Sequence, residues 1–173
     1  GTVNNVDNEI EVMRSKSLIR GAVNTLKLHT TYSVKGRVKS ANLYTASPLL
    51  VTMEQSDLDK LKSPFSFQAV VNKDQTVSIK WLENEQMKLS KLTKLPALFR
   101  TKYGVLTFSF RAGNVPSYGE PIEITFRPPA SVVPYYRQAL SISPTSKTTS
   151  VLNLRLTTAE PAKGVDFLNT LVE

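Results

Sequence analysis

The chain has no cysteine, one histidine and one tryptophan among its 173 residues. Without thiols it can form neither a disulfide nor a thiolate metal site, and that absence suits an oxidising or a reducing compartment equally. A single imidazole makes His29 the sole base of its kind, and no Gly-x-Ser-x-Gly turn presents a serine to it. A structural or surface histidine is the reading its amphipathic strand favours. Asp57 and Asp59 form an isolated acidic pair that reads as solvated loop carboxylates, too few for a cation cage. Gly113 and Gly119 lack the Lys and Ser or Thr that complete a phosphate-cradling loop. Glu83 and Glu85 trail a strand and are expected to be exposed. No catalytic, metal or cofactor residue is therefore expected. Long hydrophobic runs are also missing: nothing approaches the ~20 apolar residues that a membrane helix needs, and no signal-peptide pattern is present.

What is there is a globular composition, 40% apolar, enough for one well-packed core built as one or two lobes. The formal net charge of +8 favours an anionic partner, such as an acidic polymer, phospholipid headgroups or nucleic acid. Positive charge is densest from 86 to 102, where Lys88, Lys91, Lys94, Arg100 and Lys102 occur without an acid between them. Only Phe99 interleaves with them, which argues against nucleic acid. These five are the candidate contacts to an anionic polymer; a solvated charged face is the alternative.

Asp7 or Asn8 can cap a helix over residues 9–27. Val12, Ile19, Ala22, Val23 and Leu26 share one side of it and are expected to dock on a sheet. Ile10, Met13, Ser17 and Gly21 lie on the other side, which makes them the candidate subunit interface; packing on strands absent from the sequence is the alternative. A strand over 28–38 with a tip at Lys35 to Arg37, and a buried strand through Leu49, Val51 and Met53, are expected next. Phe65, Phe67, Ala69 and Val71 alternate, 72–75 turn, and Val77, Ile79 and Trp81 return as a hairpin whose phase places Trp81 in the core. Residues 87–96 repeat Lys-Leu every third position, a period that fits neither strand nor helix, and read as irregular edge structure. A second hairpin over 98–111, with Leu106, Phe108 and Phe110 on one face, precedes a loop over 113–121 and a strand over 122–126. A short helix over 131–139 would hold Pro134 in its first turn. A strand over 140–143, a closing strand over 149–156 and a helix opened by Pro161 with a Val165, Leu168, Val172 stripe complete the chain. That stripe is still running at Glu173, and Gly stands at position 1 in place of Met, as expected of a piece excised from a longer protein.

The expected fold class is α+β: a mixed-sheet base lobe from 8–44 and 139–173, flanked by N- and C-terminal helices, with a β-rich antiparallel insertion over 45–138.

The runs 140–144, 147–154 and 160–171, with Pro161 opening the helix and the Leu168 and Asn169 pair inside it, resemble the extracytoplasmic region of bacterial polysaccharide co-polymerases, the chain-length determinant proteins. Residues 8–18 and 24–28 are similar to that family's first helix, with its acidic start, Ser-containing turn and Leu-rich finish. Residues 65–81, 103–110 and 120–126 resemble the β-rich middle of members fused to a cytoplasmic tyrosine autokinase. The resemblance spans nearly the whole chain. It implies a periplasmic scaffold of a two-pass inner-membrane protein that sets the length of capsular polysaccharide, exopolysaccharide or O-antigen. Such a scaffold acts as a homo-oligomer with the polysaccharide polymerase and export machinery and without cofactor or catalysis. The chain by itself would be monomeric or weakly associating, because membrane tethering supplies the effective concentration for assembly. A free carbohydrate-binding or adhesion β-domain is the alternative, and would call for exposed aromatics forming a platform.

Overall fold

The computed structural model describes residues 2–114 and 117–173. In chain order the elements are α1 (Thr2–Met13), α2 (Lys16–Thr25), β1 (Thr30–Lys35), β2 (Ser40–Asn42), β3 (Leu49–Met53), α3 (Gln55–Lys60), β4 (Phe65–Val71), β5 (Val77–Glu83), β6 (Gln86–Leu92), β7 (Ala97–Thr101), β8 (Gly104–Phe110), β9 (Ile122–Phe126), α4 (Pro129–Ala139), β10 (Leu140–Pro144), β11 (Leu152–Leu156) and α5 (Pro161–Leu171). The fold is α+β, and all strand pairings among the described residues are antiparallel. Val115 and Pro116, in the loop expected over 113–121, lie outside the described residues.

The chain divides into two compact units, one from residues 1–28 with 129–173, the other from 29–128. The boundaries expected at 44/45 and 138/139 are displaced: β1 and β2 belong to the β-rich unit, and α4 to the helical one.

The helical unit corrects the expected single helix over 9–27. A first helix already begins at Thr2, and the chain breaks after Met13. There Ser15 takes an extended conformation and its hydroxyl accepts the Leu18 N–H at 3.2 Å, capping a second helix. Such a cap contributes about 0.5–2 kcal/mol. The break is clamped from outside: the Arg14 guanidinium donates to the Leu140 carbonyl at 2.9 Å, and Arg137 Nε donates to the Arg14 carbonyl at 2.9 Å. The buried Ile19, Ala22 and Val23 of α2 face α4 and α5 and not a sheet, and Val12 is exposed. Helix α4 starts at Pro129, so Pro134 sits in its interior, on the exposed side. Its missing N–H withdraws one helical hydrogen bond where water can replace it.

Helix α5 begins at Pro161 as expected but buries a different face. Val165 and Val172 are exposed, whereas Lys163, Gly164, Phe167 and Leu171 are buried. Phe167 stacks on Tyr136 of α4 with centroids 4.9 Å apart. A Cβ on Gly164 would lie 2.9 Å from the Thr158 methyl, so glycine permits the close approach of α5 to the segment after β11. Lys163 keeps its ammonium 2.7 Å from the Glu160 carboxylate one turn earlier.

The β-rich unit holds a six-stranded sheet in the order β2-β1-β9-β4-β5-β6 and a three-stranded sheet in the order β3-β8-β7. Alternation sends Phe67, Ala69, Val71, Val77, Ile79, Ile122 and Ile124 from the first sheet against Leu49, Val51, Leu106 and Phe108 from the second, forming one core. Each fully buried Val, Leu, Ile or Phe side chain among them stabilises the fold by about 1.5–3 kcal/mol. Phe110, on the same face of β8 but at the strand end, is 36% exposed. The Tyr32 hydroxyl meets the outer edge of β3, accepting the Val51 N–H at 2.9 Å and donating to the Val51 carbonyl at 3.3 Å. The stretch expected to be irregular contains a regular strand, β6, paired with β5 from Val77↔Leu92 to Glu83↔Gln86. Helix α3 forms over the polar segment after β3, so Asp57 and Asp59 stand on a helix and not in a loop.

Candidate functional site

Where β4 begins, β5 ends and β7 turns into β8, the two sheets of the β-rich unit leave a cavity of about 260 Å³. Strand alternation builds it. Phe65 and Phe67 on β4, Trp81 and Glu83 on β5, and Phe99 and Thr101 on β7 share the inward phase of their strands, and here the core lining runs on past the point where the sheets are closed. The expectation that Glu83 is exposed is corrected: it is half-buried, at the cavity mouth.

Two ring systems form the walls. In one, Phe126 stacks on Phe65 at 5.2 Å and Phe65 on Tyr103 at 4.3 Å, and the Lys102 ammonium lies 5.2 Å from the Tyr103 centroid. A ring gap of 4.3 Å leaves no room for an ammonium, so Lys102 covers the opposite face of Tyr103. In the other, Trp81 meets Phe99 edge to face at 5.2 Å, and Phe99 meets Phe108 in the same way at 6.2 Å. Such pairs contribute about 0.5–1.5 kcal/mol beyond their area.

The turn that carries Lys102 and Tyr103 is held from within. Thr101 Oγ1 donates to the Gly104 carbonyl at 2.7 Å and accepts the N–H groups of Tyr103 and Gly104 at 3.1 and 3.2 Å. Gly104 has φ +145°, and a Cβ there would lie 2.6 Å from the Asp57 carboxylate on α3. Glycine is thus required both by the backbone conformation and by the helix beside it.

The five basic residues singled out in the sequence do not share one surface. Lys102 and Arg100 line the cavity, although alternation puts the Arg100 side chain on the face of β7 opposite Phe99, at the rim. Lys88 stands opposite Trp81 in the inward register of β6; Lys91, opposite Ser78, takes the outward one. Lys94 lies in the β6–β7 connection, which contains a cis Leu95-Pro96 bond. On the outward face, Leu82, Met87 and Leu89 are 66%, 54% and 76% exposed, beside Lys80 and Lys91.

The candidate interface is likewise divided. Ile10 and Met13, half-buried, are on α1; Ser17 and Gly21, exposed, are on α2, and the break at Ser15 ends their continuity along a single helix. His29 is buried at the start of β1, with its carbonyl accepting the Arg127 N–H at 2.9 Å. Among the described residues no group of three or more His, Asp or Glu side chains could hold a metal ion, and no helix is long and apolar enough to cross a membrane.

The cavity offers aromatic carbon, one carboxylate and the Lys102 ammonium, an inventory for holding a ring that is apolar on its face and polar at its edge. No protein-family model matches the chain, and no curated protein matches it.

Proposed function

We propose that the chain is the periplasmic scaffold of an inner-membrane polysaccharide co-polymerase, which sets polymer chain length by assembling into homo-oligomers beside the polymerase and export machinery. The observation that carries this reading is the composition of the helical unit. Its residues come from both sides of the β-rich unit, 2–28 and 129–173, so one rigid piece would hold both legs of a two-pass membrane protein. The strand β11, the Pro161-initiated helix and the Leu168 and Asn169 pair within it are the segments on which the family resemblance rests. A tyrosine autokinase on the cytoplasmic side of the parent protein is part of the same proposal.

The test is in the full-length protein in its own membrane. Protease should reach this chain in cells only after the outer membrane is permeabilised, and reversing charge at Lys88, Lys91 and Lys94 should shift the length distribution of the surface polymer. Replacing Met13 with Glu should weaken assembly in the membrane. A chain exposed to the cytosol, or a product distribution and assembly state untouched by all these changes, refutes the reading. The aromatic cavity favours a second reading, a carbohydrate-binding or adhesion domain that works without membrane anchors; that reading requires full activity from the released chain.

A further inference from the structure

We propose that the cavity between β4, β5 and β7 is a subsite for a single sugar residue that carries a carboxylate, a hexuronic acid unit within a polymer. This rests on the reading of the chain as a polysaccharide scaffold and names the chemistry that the scaffold selects.

Size comes first. At about 260 Å³ the cavity falls just under the ~300–1,000 Å³ of sites that enclose drug-sized ligands, so it admits one ring and leaves the neighbouring residues of a chain in solvent at its open side. The walls come second. A pyranose presents a face of C–H groups and an edge of hydroxyls, and the half-buried Trp81, braced by Phe99, gives such a face a flat partner at the mouth. The polar groups come third. Lys102 is held over Tyr103 by a turn fixed through Thr101, which leaves its ammonium ready to pair with a carboxylate on the sugar edge. The Glu83 carboxyl oxygens suit sugar hydroxyl donors. Lys102 is thus the cation available to a sugar carboxylate, with Arg100 on the outer face of β7. The aromatic wall together with the Lys102 ammonium distinguishes an acidic sugar from a bare anion, which needs no ring.

The chain contains a single tryptophan, Trp81, so its fluorescence reports on the end of β5 that lines this cavity. The 173-residue chain is titrated with a tetramer of β-linked glucuronic acid and with the carboxyl-reduced, neutral tetramer of the same linkage. A saturable change with the acidic tetramer is expected. Lys102→Ala should weaken it about 10- to 100-fold, the equivalent of one lost charge-assisted hydrogen bond, and should leave the response to the neutral tetramer unchanged. Lys73→Ala, in the turn at the far end of β4 and β5, should change neither response. Lys102 is exposed, and a thermal melt confirms that the variant is folded. No response to either sugar, equal affinity for both, or an equal response to polyphosphate or single-stranded DNA each overturns the proposal. The scaffold reading fails separately, by the membrane and polymer-length measurements above, so a missing fluorescence response with altered polymer length in cells would remove the subsite and keep the scaffold.

Discussion

The hydroxyl of Tyr32 satisfies both backbone groups of Val51, which face outward from the open edge of β3, and so ties the six-stranded sheet to the margin of the three-stranded one. Burial raises the Tyr32 phenol above its usual range, opposed by the Val51 hydrogen bond and the nearby Arg111 charge. Tyr136, in the helical unit, is also raised, by burial first and then by the negative charge of Glu160. Both shifts favour the protonated, folded form. The stability they supply is complete below the unfolded phenol value near 10 and is lost as pH climbs through the higher folded values. Denaturant midpoints should therefore hold up to about pH 10 and fall beyond it. Phenolate absorbance should show a late phase from Tyr32 and Tyr136, together with unfolding. A midpoint independent of pH through that range, or six tyrosines titrating as one class, would contradict this. At this scale the sequence was partly legible. The inward phase of Trp81 follows from Val77 and Ile79, but the same phase at Glu83 was obscured because a carboxylate at a strand end normally points to water.

At the scale of elements, strand β6 is the instructive case. It is an edge strand whose outer N–H and C=O groups have no strand beside them, and its Lys-Leu triplets hide the period of two. Being at an edge, it needs no buried face of its own; lysine there discourages pairing with other chains. Replacing Lys88 and Lys91 with Val should leave the unit folded and make it self-associate, seen as a concentration-dependent rise in sedimentation coefficient; a variant that stays monomeric would assign those lysines to polymer contact alone. Two helices were misread for related reasons. In α5 the buried face joins Phe167 and Leu171 to Gly164 and a Lys163 stem, and the last two do not count as apolar in a pattern. At Ser15 a serine that a continuous helix could tolerate proves to be a cap, a choice fixed by the Arg14 and Arg137 clamps from distant parts of the chain. The hairpins β4–β5 and β7–β8, by contrast, were readable because alternation and turn residues agree locally.

For the molecule as a whole, the β-rich unit carries its own core and, among the described residues, the nine strands of its two sheets. A chain of residues 29–128 should therefore fold alone, with a native-like Trp81 emission and a cooperative urea transition. A broad, non-cooperative transition would show that the remaining residues are needed to complete that core. The order of its parts along the chain could be read from strand periodicity, but the junctions could not. The shift from 44/45 to 28/29 depends on β1 pairing with β9, some ninety positions later, a contact that no local signal announces.

That the helical unit draws on both extremities also sets a timetable. During synthesis residues 2–28 precede the β-rich unit, and the helices that α2 packs against, α4 and α5, follow it. The middle can mature while the earlier helices wait, exposing Ile19 and Val23 until residues 129–173 have been made. A stop just after residue 128 would thus yield a finished β-rich unit with helix α2 unpartnered and sticky, a natural target for chaperones and quality-control proteases.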